Sequence, residues 1–240
     1  MFDISHIMAV ILAGGLGTRL RKVVSDRPKI MAEINGKSFL HYLLDQIVDA
    51  GIGRVIISTG YMSEKIEETI GSSYKSLQIH FSKEEVPLGT GGALKLAGKF
   101  VDTKLCLVMN GDSYTKFDVE LLLRERKKAE AKIILIVKAV KDCSRYGTIQ
   151  MDKNNKIIEF IEKGGTTTWG LINAGVYMMN TAVLKNIPEK TPCSLEYDFF
   201  PGMTGKGIYG HETKGKFIDI GTPESYAKAE AFFDEKPAPA

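Results

Sequence analysis

The sequence predicts an α/β fold: a Rossmann-like open sheet, mixed but mainly parallel, flanked by helices and carrying a small β-rich lobe. Two observations predict it. Short, wholly apolar runs alternate with amphipathic stretches through the first part of the chain. A strand apolar at every position must be buried on both faces, as in a parallel sheet covered by helices. After about residue 145 the texture shifts to short segments separated by turn residues, the pattern of a β-rich appendage.

The elements follow in order. Residues 7–13 (IMAVILA), 54–59 (RVIIST), 105–109 (LCLVM) and 133–137 (IILIV) read as buried strands. Residues 38–51 read as a helix that Ser38 caps and Gly51 ends, with Phe39, Leu43, Ile47 and Ala50 on its buried face. Residues 62–70 and 119–131 read as further helices, and the strand–helix alternation implies right-handed crossovers. Residues 148–151 and 156–161 flank the turn Asp152-Lys153-Asn154-Asn155 as a hairpin, and residues 174–179 and 216–220 read as strands. Residues 222–233 read as a closing helix with Pro223 in its first turn. The reading is one domain over residues 1–235, with 236–240 (KPAPA) a flexible tail.

With 240 residues and 44% hydrophobic content, the chain can bury one sizeable core. A net charge of +3 is too small to argue for a nucleic-acid or membrane partner, so neither is expected. The three cysteines, Cys106, Cys143 and Cys193, are odd in number and widely spaced, which reads as reduced thiols and a cytoplasmic address. The four histidines, His6, His41, His80 and His211, show no zinc-ligand spacing. No apolar run approaches the length of a membrane span, and no signal sequence is evident.

Leu12-Ala13-Gly14-Gly15-Leu16-Gly17-Thr18-Arg19-Leu20 directly follows the first strand. Its glycines let backbone N–H groups converge on an anion. A dinucleotide fingerprint would need a glycine where Leu20 stands, and the Gly-Lys-Ser/Thr of a P-loop is missing. Arg19 inside the loop and Lys29 after Pro28 add two cations, a combination that suits a triphosphate; a plain tight turn is the competing reading. A second motif, Asn110-Gly111-Asp112, ends the strand at 105–109, where open α/β sheets bind ligands. Asp219 interrupts the apolar run Phe217-Ile218-Asp219-Ile220, a costly place for an uncompensated carboxylate. Two carboxylates together with phosphate oxygens suit Mg²⁺. The bland reading of Asp112 is a solvated turn aspartate.

Residues 12–20, followed by Arg27-Pro28-Lys29, resemble the signature of the sugar-1-phosphate nucleotidyltransferases, the group of glucose-1-phosphate thymidylyltransferase and mannose-1-phosphate guanylyltransferase. The resemblance runs through roughly residues 7–230. Within the group the chain looks most like the bacterial D-glycero-D-manno-heptose 1-phosphate guanylyltransferases. A mannose-1-phosphate guanylyltransferase and a thymidylyl- or uridylyltransferase acting on a hexose 1-phosphate are the alternatives.

That resemblance implies a GT-A-like fold in which residues 1–145 bind nucleotide and 146–235 bind sugar phosphate. The implied partners are a nucleoside triphosphate and a sugar 1-phosphate, the implied cofactor Mg²⁺, and the implied products an NDP-sugar and pyrophosphate. Leu12, Ala13, Gly14, Gly15, Gly17, Thr18, Arg19, Pro87, Gly89, Thr90 and Gly111 match the nucleotide-binding positions. Asp112 and Asp219 match the metal ligands, and Arg19, Lys29, Asp112 and Lys163 the catalytic set. Phe160-Ile161-Glu162-Lys163-Gly164 is similar to the family's Glu-Lys-Pro, with Gly164 in place of the proline. By that likeness Glu162 holds sugar hydroxyls and Lys163 the sugar phosphate. Asn110, Gly147, Asn173, Gly175 and Glu196 match its sugar-facing positions. The residues alone read equally well as packing glycines and a solvated glutamate.

The base is read from Glu84. In the thymidylyl- and uridylyl-transferring relatives a glutamine stands five residues before the first glycine of this loop. Here the loop reads Glu84-Glu85-Val86-Pro87-Leu88-Gly89-Thr90-Gly91-Gly92. A carboxylate only accepts, and guanine offers two adjacent donors, so Glu84 predicts GTP; Glu85 or the backbone is the competing reader. Two other classes stay open. One is a catalytically inactive nucleotide-sugar-binding regulator. The other is a dinucleotide oxidoreductase, which needs an acid where Thr59-Gly60 stand. Heptose or mannose, and monomer or homodimer, are left undecided.

Overall fold

The computed structural model describes residues 2–161 and 169–234. The chain opens with β1 (Ile7–Leu12), the small hairpin β2 (Glu33–Ile34) and β3 (Lys37–Ser38), helix α1 (Phe39–Asp49), β4 (Arg54–Thr59) and helix α2 (Ser63–Ile70). Then come β5 (Ser73–Tyr74), β6 (Leu77–Lys83), α3 (Gly89–Ala97), β7 (Leu105–Asn110), β8 (Ser113–Thr115) and α4 (Val119–Ala129). Next are β9 (Ile133–Val140), the hairpin of β10 (Thr148–Met151) and β11 (Ile157–Ile161), and the long β12 (Gly170–Asn180). A π-helical turn at Leu195–Phe199 runs into α5 (Phe200–Met203), followed by β13 (Ile208–Glu212), β14 (Phe217–Asp219), α6 (Pro223–Tyr226) and α7 (Ala229–Asp234).

Among the described residues ten strands form one sheet, with main path β11-β10-β12-β7-β1-β4-β6-β5 and β9 and β13 attached beside β12. β1 pairs in parallel with β4 on one side and β7 on the other, and β4 pairs in parallel with β6. The chain therefore steps outward from β1 through β4 to β6 and then returns to the far side of β1. That reversal opens a crevice at the carboxyl ends of β1 and β7, where ligands bind in open α/β sheets. Beyond β7 the pairing turns antiparallel, with β12 against both β7 and β9, and β10 against β12.

Successive residues of β1 enter different cores. Ile7, Ala9 and Ile11 join one that includes Phe39, Leu43 and Ile47 of α1, Ile66 of α2 and Leu122 of α4. Met8, Val10 and Leu12 join another that includes Ala93 and Leu94 of α3, Leu195 and Phe200. Burial on both faces is why this strand is apolar at every position.

Several elements differ from the sequence reading. The strand read at 133–137 continues to Val140 and that at 174–179 spans Gly170–Asn180, because their mutual pairing carries past the apolar residues. Ser38 precedes α1, but its hydroxyl pairs with His41 Nδ1 at 2.7 Å instead of capping a backbone N–H. The closing helix is two pieces, α6 and α7; Thr222 and Ser225 cap the first reciprocally. Helix α3 was not read at all, since its opening Gly-Thr-Gly-Gly has poor helix propensity. No disulfide links the three buried cysteines. Among the described residues no helix is long and apolar enough to cross a membrane.

Candidate active site

Two cavities meet at the crevice. One of about 350 Å³ lies over the end of β1, and one of about 490 Å³ opens toward β10 and β12. Asn110, Asp112 and Glu196 line both. The junction is built by close backbone contacts. Leu12 and Asn110 are in register across β1 and β7, and the Gly111 N–H donates to Leu12 O at 2.9 Å. A Cβ on Gly111 would stand 2.5 Å from that carbonyl, so only glycine lets the two strand ends close up. Gly17 has φ +61°, and a Cβ there would meet Lys29 Cβ at 3.0 Å; the loop thereby folds directly over the Lys29 stem.

The charged groups converge on one point. Lys29 Nζ donates to Asp112 Oδ2 at 2.6 Å. Strand β14 pairs with β8 so that Asp219 stands opposite Ser113, and Ile220 N–H donates to Asp112 O at 2.8 Å. This places Asp219 beside Asp112. Arg145 donates to Asp219 Oδ1 at 2.9 Å, the Gly221 N–H donates to the same oxygen at 3.1 Å, and the Tyr146 hydroxyl donates to Oδ2. Burial, and then that carboxylate, push the Tyr146 phenol well above its ordinary range. A Cβ on Gly221 would lie 3.0 Å from Asp219 Oδ1 and 3.7 Å from both the Arg19 guanidinium and Lys29 Nζ. Two carboxylates and three cations thus crowd a single junction, an arrangement suited to phosphate groups with a cation between them. Among the described residues no third acid, histidine or cysteine joins the two aspartates.

The profile of the nucleotidyl transferase family matches residues 8–236. The chain belongs to this family. It is 40% identical, over 92% of its length and 96% of the other's, to a D-glycero-alpha-D-manno-heptose 1-phosphate guanylyltransferase of Aneurinibacillus thermoaerophilus. A mannose-1-phosphate guanylyltransferase of Mycobacterium tuberculosis is 35% identical over 94% of this chain, which spans 64% of that longer protein. HddC from Yersinia pseudotuberculosis, crystallised in complex with GMP-PN, has 36% identity and a TM-score of 0.83, covering 95% of this chain and 99% of that one.

In this nucleotidyl transferase the sequence-derived residues sort between the two cavities. Leu12, Ala13, Gly14, Gly15 and Gly17 line the smaller one along the first loop, and Glu84, Pro87, Gly89 and Thr90 line it from the other side. Lys29 and Gly111 lie at its inner end. Arg19, Gly147, Asn173 and Asp219 line the larger one. Thr18 is exposed, and neither Thr18 nor Gly175 lines either cavity. Gly175 sits at φ +78° inside a register shift between Asn173 and Tyr177, and a Cβ there would collide with the Ser113 hydroxyl. Packing therefore accounts for that glycine, while the bulge turns Asn173 toward the cavity. Glu162 and Lys163 lie outside the described residues.

Glu84 is 8% exposed. Its Oε2 accepts the Leu88 N–H at 2.9 Å, closing the loop on itself, and its carboxylate lies where a Cβ on Gly14 would stand. The sequence reading gave both oxygens to a base; one is partly committed to the loop, although each carboxylate oxygen has two lone pairs. Burial raises the Glu84 pKa, and the Leu88 N–H opposes it. Asn110 lines both cavities, and its Oδ1 is buried and without a hydrogen-bond partner among the described residues.

Sequence reasoning gave no role to Arg145 and Tyr146, the partners of Asp219. Their signal was adjacency to Gly147. It also passed over Arg21, whose guanidinium lies 3.9 Å over the Tyr61 ring beneath the first loop.

Proposed function

We propose that the protein transfers GMP from GTP to D-glycero-D-manno-heptose 1-phosphate, releasing pyrophosphate and the GDP-sugar. The observation that carries this reading is the junction where Lys29, Arg19, Asp112 and Asp219 meet between two cavities. The smaller cavity takes GTP, and the buried Glu84 carboxylate supports guanine as the base. The larger takes the sugar phosphate. The near full-length match to a heptose 1-phosphate guanylyltransferase supports the acceptor. We place the reaction in the cytoplasm, where the buried thiols stay reduced.

An oxygen of the sugar phosphate attacks the α-phosphorus in line, and the bond to the bridging oxygen of the leaving pyrophosphate breaks. The nucleophile is ionised at neutral pH, so no general base is needed. The protein's task is to hold two anions together and to stabilise charge on the leaving group. Arg19, which lines the larger cavity where it meets the smaller, is assigned to the β- and γ-phosphates, Lys29 to the α-phosphate, and Lys163, outside the described residues, to the incoming sugar phosphate. Asp112 and Asp219 would hold Mg²⁺ through hard carboxylate oxygens, and among the described residues no third acid, histidine or cysteine joins them. When bound, Mg²⁺ neutralises and orients phosphate oxygens. Lys29 and Arg145 pair with these carboxylates in the ligand-free protein, and with Mg²⁺ bound they would be free to turn to phosphate. Asn110 and Asn173 hold sugar hydroxyls, and Glu196 accepts from them.

The test is product analysis with four nucleoside triphosphates and a panel of sugar 1-phosphates, following pyrophosphate release and the mass of the product. GDP-heptose as the preferred product is expected. A preference for mannose 1-phosphate would move the acceptor, and a preference for UTP or dTTP would remove the role given to Glu84.

A further inference from the structure

The two cavities are tied together by hydrogen bonds running from one to the other. Thr90 lies in the glycine-rich start of α3, against the nucleotide cavity. Its Oγ1 donates to Glu196 Oε2 at 2.9 Å and accepts the Leu195 N–H at 2.9 Å. The same Glu196 oxygen accepts from Ser194 Oγ at 2.9 Å, and its Oε1 accepts from Tyr177 OH at 3.4 Å. The Tyr177 hydroxyl in turn accepts from Asn173 Nδ2 at 2.8 Å. Glu196 lines both cavities and Asn173 the larger one, whereas Thr90 lines only the smaller.

The backbone reinforces this path. Gly91 N–H donates to Cys193 O at 2.8 Å, and Cys193 N–H donates to Leu88 O at 2.8 Å. A Cβ on Gly89 would stand 2.5 Å from that Cys193 carbonyl. The nucleotide loop at 88–92 and the segment at 193–196 are therefore held as one body, and Glu196 stands on it at the border between the two cavities. A glutamate has three side-chain torsions to order, and here Thr90 and Ser194 fix one of its oxygens while the longer Oε1 contact leaves capacity for a sugar hydroxyl.

We propose that Thr90 is a positioning residue for the sugar. It acts through Glu196, and through it a nucleotide seated against the loop strengthens sugar 1-phosphate binding. The inference rests on the assignment of the two cavities made above. A nucleotide seated against the loop favours the arrangement in which Thr90 holds Glu196, so the second ligand binds a prepared site.

The experiment measures binding of D-glycero-D-manno-heptose 1-phosphate with and without a non-hydrolysable GTP analogue, alongside steady-state kinetics. Wild-type enzyme should bind the sugar phosphate at least about fivefold more tightly with the analogue present, the lower end of ordinary coupling between sites. Thr90→Val should raise KM for the sugar phosphate roughly tenfold, the scale of one hydrogen bond to a charged group, with a much smaller change in KM for GTP, and should abolish the coupling. Thr90→Ser, which keeps the hydroxyl, should restore both. In a Glu196→Ala background, Thr90→Val should add nothing, because the two residues act as one unit. Should Thr90→Val fail to fold, Glu196→Gln must show the same split between the two KM values. Equal effects on both substrates, additive effects in the double variant, or a wild type with no coupling would overturn the inference. A wild type that bound GTP but no sugar 1-phosphate would instead remove the functional reading, and this inference with it.

Discussion

At the scale of single residues, the site's chemistry rests on paired charges at the junction of the two cavities. Asp112 and Asp219 pair with Lys29 and Arg145. Asp112→Asn and Asp219→Asn should each cut kcat by about a thousandfold, ~4 kcal/mol of lost charge stabilisation, with unchanged circular dichroism. Near-normal turnover in Mg²⁺ by either variant would mean that the aspartate holds no metal. Glu84 allows a pH argument. Its folded pKa is raised by burial. In the window between that raised value and the ordinary glutamate value, the folded state binds the proton more tightly than the unfolded chain. Ligand-free stability therefore rises as pH falls through the window. On the proposed reading the Glu84 carboxylate receives guanine, so GTP affinity should fall as pH falls through the same window. Glu84→Gln should flatten both profiles and reduce the preference for GTP over ITP roughly tenfold. Fluorescence titrations over pH, with unfolding curves at each point, read both quantities.

At the scale of elements, the glycines separate into two kinds. Gly89 has φ +74° and a Cβ there would press on Cys193 O, so it is required by the packing of α3 on the segment beneath it. Gly15 has nothing within 4 Å of its Cβ position and stands free at the mouth of the nucleotide cavity. Gly89→Ala should lower the unfolding free energy by roughly 1–3 kcal/mol from the backbone conformation alone, with the clash added to it. Gly15→Ala should leave the denaturation midpoint where it is and act on KM for GTP. If both variants unfold like wild type, the tight contact at Gly89 is not a constraint on the fold. The sequence showed these glycines as one class of loop residue. What separates them is the distance to a carbonyl that lies far along the chain.

At the scale of the whole molecule, the end of the chain holds the start together. Phe233 of α7 stacks on Tyr42 of α1 at 3.9 Å between ring centroids, and meets Tyr114 of β8 edge-on at 4.9 Å. Asn35, in the turn between β2 and β3, donates to Asp234 Oδ1 at 2.8 Å. Because Tyr114 adjoins Ser113, which faces Asp219 across β8 and β14, this aromatic contact backs the strand pair that brings the two aspartates together. Phe233→Ala should cost about 2 kcal/mol, less than the ~3–5 of a fully buried phenylalanine. It should also lower kcat several-fold without changing KM for GTP. A loss of stability with kcat intact would show that the pairing of β14 with β8 does not depend on the C-terminal helix.

The sequence by itself determined the class of sheet, the glycine-rich loop after β1 and the identity of the charged groups, because each of these is written locally. Apolar runs follow from two-sided burial, and a glycine nest with flanking cations is continuous along the chain. Its local pattern could not show that Asp219 lies beside Asp112, which only the family resemblance implied, that Cys193 lies under the loop at 88–92, or that Glu84 commits part of one oxygen to Leu88 N–H. The first two are set by pairings between distant segments, and such pairings leave no periodicity in either segment. The third depends on how the loop at 84–89 closes once α3 is packed. Sequence supplied the functional groups; which of them stand within reach of one another was decided by the antiparallel pairing of β12 with the parallel core and by the separate two-stranded pairing of β14 with β8, contacts between segments far apart in the chain.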